Sequence, residues 1–343
     1  MVLESPSQQL TLVVPDLLDK TVSSTQPRSP ELELLLARAE QDVTTGNSEE
    51  LLFKLLGPAI HRPFPTAALT YLADTDRRGK GWWLRADPVY LQTDNARVIM
   101  LGNDYLNIEQ NEAAALGEIL HPLFERVGMA LSLPHPKRWY LHLGENPGVV
   151  FRSLHEALGH DIHAYLPDDA QGRASVAAGR TPGATAKRWR SLLNEVQMTL
   201  HESGVNRVRE ARGEWPINSL WFWGLGELPA AVPSRFTRVW SDEPLAIGLA
   251  KLAGAAHASL PADAEQWLNL VTTPGEHLVV FQGTNTDFIE RFNTQWAAPL
   301  CAALRKRTLK SLSLYAGHGS VFHINRSLLG RWWRRRRPLT FYL

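Results

Sequence analysis

Two periods of apolar and polar residues divide this chain. Leu10 to Val14 is a short run of β-favouring residues stopped by Pro15, the pattern of a buried strand ending in a loop. In an open α/β sheet, that end of a strand is where ligands sit. The helical period follows. Ser29 and Pro30 are placed as N-cap and first residue of a helix whose apolar face is Leu32, Leu35, Leu36 and Ala39. A second helix is expected from Ser48 as its cap, with Glu49 and Glu50 in the first turn, Leu51, Leu52, Leu55 and Leu56 behind, and Gly57-Pro58 as its stop.

From Gly81 the texture changes. Strands are expected at Trp83-Leu-Arg-Ala-Asp-Pro-Val-Tyr-Leu, Arg97-Val-Ile-Met-Leu and Arg138-Trp-Tyr-Leu-His-Leu, with a helix from Ile108 to Val127 between the second and third. That order predicts a compact α+β unit with a helix on one sheet face. A Gly-, Ala- and Pro-rich stretch from Asp168 leads into a long helix expected from Ala186 to Arg212. Beyond it, strand-like Asn218 to Gly224, Phe236 to Trp240, His277 to Phe281 and Leu312 to Tyr315 alternate with helical stretches from Leu245 and Asp287. Such alternation predicts a mostly parallel, doubly wound sheet. The expected organisation is a discontinuous α/β core of residues 1–80 and 214–343 with an α+β insert at 81–213.

Composition narrows this picture only slightly. With 44% hydrophobic residues in 343, a sizeable core is affordable. Lys and Arg number 36 against 35 Asp and Glu, so bulk charge names no partner. The single cysteine, Cys301, excludes an internal disulfide and a cysteine-based zinc cage, and its setting between Leu300 and Leu304 marks it as a core residue. No apolar run reaches the roughly 20 residues a membrane helix needs, and the first residues lack a signal-peptide pattern, so the expected location is the cytoplasm.

Several segments, in order, resemble the archaeal-type, cofactor-independent phosphoglycerate mutases of the alkaline phosphatase superfamily. Val13-Val-Pro-Asp-Leu-Leu-Asp-Lys20 stands where that family carries a strand ending in Asp-Gly-x-x-Asp. Ser48 to Gly57 is similar to its nucleophile segment, and Trp83 to Leu141 to its substrate domain. Val205 to Gly213, Pro216 to Gly226 and Pro244 to Gly254 resemble its return segments. The Trp-Leu-Arg-Ala-Asp-Pro and Asn-Glu-x-Gln-Met segments look most like its bacterial RpfE branch of regulatory proteins. The resemblance implies an alkaline-phosphatase-like α/β fold with an inserted domain.

It also implies a serine nucleophile between two divalent ions, manganese or zinc, which neutralise the transferring oxygens. Ser48 matches the nucleophile, and also suits a mere helix cap. Pro15 stands at the first ligand position and cannot ligate; Asp16 and Asp19 are its neighbours. The Asp-x-x-Gly-His loop expected before Asp287 does not fit the short segment there, and the last Asp-His pair reads Gly317-His318, with His323 close behind. Expected metal candidates are therefore Asp16, Asp19, His318 and His323. Arg85, Arg138, Asn206 and Arg209 match polar positions of the family and are expected to bind a phosphorylated or carboxylate ligand, since arginine offers a planar fork to such anions; taken singly, each also suits a surface salt bridge.

The expected reading is a non-catalytic regulatory or anion-binding protein with no cofactor. The alternative is a mutase or phosphatase with a rearranged metal site. His155, His160 and His163, with Asp161, are expected to be loop histidines, and His201 to face another helix or a domain junction. The segment Arg331-Trp-Trp-Arg-Arg-Arg-Arg-Pro-Leu suits a protein partner or solvent, with nucleic acid or another anionic surface as weaker readings.

Overall fold

In the computed structural model, residues 8–15, 17–18, 28–59, 63–94, 97–169, 183–283, 288–317 and 319–342 are described. Strands β1 (Gln8–Val13), β2 (Glu40–Val43), β3 (Trp82–Asp94), β4 (Arg97–Gly102), β5 (Ala130–His135), β6 (Arg138–Leu143), β7 (Val149–Val150), β8 (Asp168–Asp169), β9 (Ser219–Glu227), β10 (Phe236–Ser241), β11 (Ala256–Ala258), β12 (Gly275–Val280), β13 (Leu309–Tyr315) and β14 (Ser320–Asn325) follow in chain order. The chain divides into two compact units, residues 1–60 with 230–343, and residues 61–229. Both expected borders of the insert, 81 and 213, fall within the second unit, because the Thr66–Thr75 helix and β9 pack with its sheet.

The first unit is built on a seven-stranded sheet in the order β11-β10-β12-β1-β13-β14-β2. β11, β10, β12, β1 and β13 run parallel, and β14 is antiparallel to both of its neighbours. β1 lies at the centre and is buried along nearly its whole length, as its apolar run predicts. Leu10, Leu12 and Val14 join a cluster with the Pro30–Arg38 helix, Trp267, and the helical stretch of residues 288–306. Val13, Val239, Leu278 and Val280, of opposite parity, are also buried, so both faces are covered. The Ser48–Leu56 helix packs on the Pro244–Leu252 helix. Cys301 is buried, and burial together with the neighbouring Glu31 pushes its thiol up to about 12.

The second unit is antiparallel: β4-β3-β6-β5, with β9 along the other side of β3. On one face, Leu84, Ala86, Trp139, Leu141, Leu220 and Phe222 pack with the Gln110–Glu125 and Ala184–His201 helices. The residues between them point the other way, toward the Thr66–Thr75 helix. That helix comes close because Gly226 lacks a side chain: a Cβ there would lie 2.4 Å from Pro65. The overall class is mixed α/β, with a mostly parallel core sheet and antiparallel sheets in an inserted unit.

Three local expectations are corrected. The strand beginning near Asn218 belongs to the antiparallel sheet, because its register runs along β3 from Val89 to Trp82. The helix expected over 186–212 is two, Ala184–His201 and Gly204–Ala211, because Ser203 caps the second by accepting from the Asn206 N–H. Ser48 is the first helical residue rather than the cap; Asn47 is the cap, and its side chain accepts from the Glu50 N–H.

Candidate functional site

The carboxyl ends of the parallel strands are the first place to look. At the end of β1 the chain turns back on the sheet. The Val14 N–H donates to the Tyr315 carbonyl, the Leu17 N–H to Val14 and the Leu18 N–H to Ala316, and Leu17 and Leu18 are buried in the core. The turn after β13 lies at the same end, and the Thr44 N–H donates to the Gly319 carbonyl there. Through β2, that contact brings the start of the Ser48–Leu56 helix toward the same edge of the sheet. Ser48 thus stands at a helix N-terminus beside the strand ends, with Glu49 and Glu50 already complementing the dipole.

Of the expected metal residues, Asp16, Asp19 and His318 lie outside the described residues. His323 sits on β14 opposite Ser313, and its Nδ1 lies 2.9 Å from the Ser313 hydroxyl. Among the described residues no three His, Cys, Asp or Glu side chains gather as a ligand set. Those described donors do not fit a pair of divalent ions. His155, His160 and His163 are exposed, with His163 Nδ1 2.6 Å from Asp161.

The four expected anion ligands all lie in the second unit, in two separate networks. On β3, alternation places Arg85 and Asp87 on the same face, two residues apart. Arg85 donates through Nε (2.8 Å) and Nη2 (2.7 Å) to the Asp87 carboxylate, and through Nη1 (3.2 Å) to the Thr70 hydroxyl. The Trp223 indole N–H donates to the same carboxylate at 2.8 Å, and the guanidinium lies over the Tyr140 and Trp223 rings. Arg138, on β6, makes a two-pronged pair with Asp74 at 2.8 and 2.7 Å, and the Tyr140 hydroxyl donates to Asp74 at 2.6 Å. Thr70 and Asp74 come from adjacent turns of the Thr66–Thr75 helix.

The electrostatics follow from this packing. Burial pushes the Asp87 carboxyl above the usual carboxylate range against the pull of Arg85. Burial also works against Asp74, but the Arg138 and Tyr140 hydrogen bonds outweigh it and hold Asp74 below that range. Burial raises the Tyr140 phenol. Only Arg138 of the three arginines keeps appreciable side-chain exposure, 23%, and its Nη1 has no partner among the described residues.

The second network joins the Gly204–Ala211 helix to the Gln110–Glu125 helix. Arg209, 1% exposed, donates through Nη1 to Glu112 at 2.7 Å and to the Asn107 carbonyl at 3.2 Å, and through Nε to the Trp215 carbonyl at 3.0 Å. Asn206 donates to the Leu200 and Ile217 carbonyls and accepts from the Ile217 N–H, each at 2.8 Å. Arg85 and Arg209 are therefore not surface salt-bridge residues; they are buried because internal carboxylates satisfy them. His201 is exposed and lines a cleft of about 430 Å³ with Tyr90, Gln92, Glu210 and Asn218.

Sequence reasoning missed Asp74, Asp87, Glu112, Tyr140 and Trp223. Asp87 was within reach, since an acid two residues after Arg85 on a strand shares its face. Asp74 and Glu112 carried no such local signal, because their partners are 64 and 97 residues away.

No family model matches the chain, and no curated protein matches it. Among solved structures it is similar to the PH0037 protein from Pyrococcus horikoshii, at 10% identity and a TM-score of 0.52, over 93% of this chain and 88% of that one. The likeness is one of fold. A cofactor-independent phosphoglycerate mutase from Thermoplasma acidophilum is also similar, at 16% identity and a TM-score of 0.46, over 97% of this chain and 94% of that one.

Proposed function

We propose that the chain is a phosphoglycerate-mutase-like protein that no longer transfers phosphoryl groups and acts as a regulatory binding protein, in the manner of the RpfE branch its sequence resembles. The observation that carries this reading is the neutralisation of its arginines: Arg85, Arg138 and Arg209 are each matched by an internal carboxylate, Asp87, Asp74 and Glu112. An arginine in a satisfied, buried fork has little left to offer a substrate phosphate. The turn after β1 supports the same reading, since Pro15, which cannot ligate, stands at the strand end where the resemblance implies the first metal ligand. A small phosphorylated or carboxylate ligand would then be held at Arg138, whose Nη1 and partial exposure leave one edge of the fork available. With Asp74 and Asp87 beside Arg85 and Arg138, the local charge is balanced, so its affinity is weak.

Metal analysis of protein purified without chelator, joined to mutase and phosphatase assays with manganese and zinc, tests the non-catalytic reading. The expected result is no turnover above background. Two equivalents of metal, with activity lost in Ser48→Ala, would overturn it. For the ligand, 3-phosphoglycerate should raise the melting temperature of the unaltered protein and leave Arg138→Ala unmoved.

A further inference from the structure

The arginine- and tryptophan-rich segment belongs to neither network described above. It is pinned at both ends: Leu328 and Leu329 before it and Leu339 after it are buried in the core of the first unit. Between them, residues 332–338 are all exposed. Arg331 pairs with Glu40 at 2.9 Å, and Arg334 donates to the Ala39 carbonyl at 2.8 Å, so the segment is held against the body rather than trailing from it. Arg336 faces Glu31 at 3.7 Å. What projects is apolar and cationic together: Trp332 is 79% exposed, Trp333 62% and Phe341 57%. Arg337 lies 4.0 Å from the centre of the Phe341 ring. Arg335 has no hydrogen bond or ion pair among the described residues.

We infer that this segment docks the protein on an anionic phospholipid surface. Three large aromatic side chains exposed beside arginines carry a solvation cost that no described residue of the first unit offsets. At a bilayer boundary each part finds its medium: the indoles sit at headgroup level with their N–H groups wet, and the guanidinium groups meet lipid phosphates. Arginine stems can lie along the apolar boundary while their heads stay in the phosphate layer. Single-stranded nucleic acid fits less well. Bases need accessible ring faces in series along a basic groove, whereas Trp332 and Trp333 meet edge to face, at 85° and 6.0 Å, and Arg337 covers a face of Phe341. The formal net charge of the whole chain is only +1, so attraction to lipid is a property of this segment and not of the molecule.

The test is co-sedimentation of the full chain with vesicles of phosphatidylcholine, with and without phosphatidylglycerol, over a salt series. The expected result is binding to the anionic vesicles only, weakening as salt rises. Arg335→Gln and Arg337→Gln should each weaken it about fivefold, and Trp332→Ala with Trp333→Ala about tenfold or more. Melting curves matching the unaltered protein would show that the variants fold, as exposed positions should. Three outcomes would overturn the inference: no binding of the unaltered protein to anionic vesicles, equal binding by the double tryptophan variant, or tighter binding to a single-stranded oligonucleotide than to lipid under the same salt.

Discussion

In the core unit the buried polar residues, such as Gln8, Thr11, Ser241 and Asn293, are nearly all uncharged, with Glu33 its one buried carboxylate among the described residues; the inserted unit buries Arg85, Asp87, Glu112 and Arg209, with Asn206 between helices. The contrast follows from the sheets. A parallel sheet covered on both faces leaves its polar groups at the strand ends, whereas β3, β6 and β9 bury one face under helices rich in leucine and the other under the Thr66–Thr75 helix, which brings its own aspartate. Buried ion pairs add little net stability over apolar residues of similar volume, but breaking one is expensive. A polar residue of the insert that matches a ligand position can therefore be kept for folding alone.

The sharpest way to break this comparison is to break the Arg85–Asp87 pair, both of whose partners are buried. Asp87→Ala leaves Arg85 Nε and Nη2 and the Trp223 indole N–H buried without an acceptor, with only the Thr70 hydroxyl still facing the guanidinium, and should cost about 3–5 kcal/mol. Because a two-unit chain need not unfold in one step, the measurement is hydrogen exchange in urea, following β3 and β1 separately; β3 should lose protection while β1 keeps it. The double variant Arg85→Met with Asp87→Leu should recover most of the loss. Failure to recover would mean that the charges do something beyond filling space.

A milder probe is Arg209→Lys, which keeps the charge and loses the fork. Lysine cannot reach Glu112 and the Asn107 and Trp215 carbonyls together, so about 1–3 kcal/mol should go. Chemical denaturation followed by fluorescence would register it, since Trp215 supplies one of the three acceptors. An unchanged midpoint would show that one of those contacts already suffices.

How much of this was legible beforehand depended on distance along the chain. The parallel strands β1 and β12 announced themselves as apolar runs, because both faces are buried and no alternation is needed, whereas β13 alternates, its leucines buried and the residues between them partly exposed. β9 was read into the wrong sheet because Leu220 to Trp223 is equally apolar, and only its long-range register with β3 tells the two sheets apart. The Thr66–Thr75 helix went unread, although its buried face, Ala67, Ala68, Tyr71 and Leu72, covers the Arg85 network. For the site, the residue types were readable and their partners were not: Arg138 and Arg209 are answered by Asp74 and Glu112, from other elements entirely.

The core unit offers its own titration. His277 is buried on β12, with Nε2 3.1 Å from the Thr273 carbonyl, so Nε2 carries the proton and Nδ1 is left without a partner. Burial, aided by Arg238, lowers its pKa; the Thr273 contact opposes this only in part, and the Trp267 ring edge closes the space. The unfolded chain takes up a proton near the ordinary value of about 6.5 while the folded one resists. Stability should thus be full above that pH and decline as pH falls below it toward the lowered folded value. His277→Gln should flatten the decline in β12 exchange, and a slope unchanged by the variant would move its origin elsewhere.

The smallest effects separate the two readings of Ser48. Because Asn47 supplies the capping oxygen, Asn47→Ala should cost about 1 kcal/mol and Ser48→Ala only a few tenths of that. Thermal melting of both variants gives the ratio directly. A Ser48 that is cheap to lose for folding is available for a ligand at the carboxyl edge of the core sheet, the role that charge pairing denies to Arg85 and Arg209 in the insert. Were Ser48→Ala to cost as much as Asn47→Ala, its hydroxyl would be part of the cap, and among the described residues of the expected site only Arg138 would then keep a donor free of structural duty.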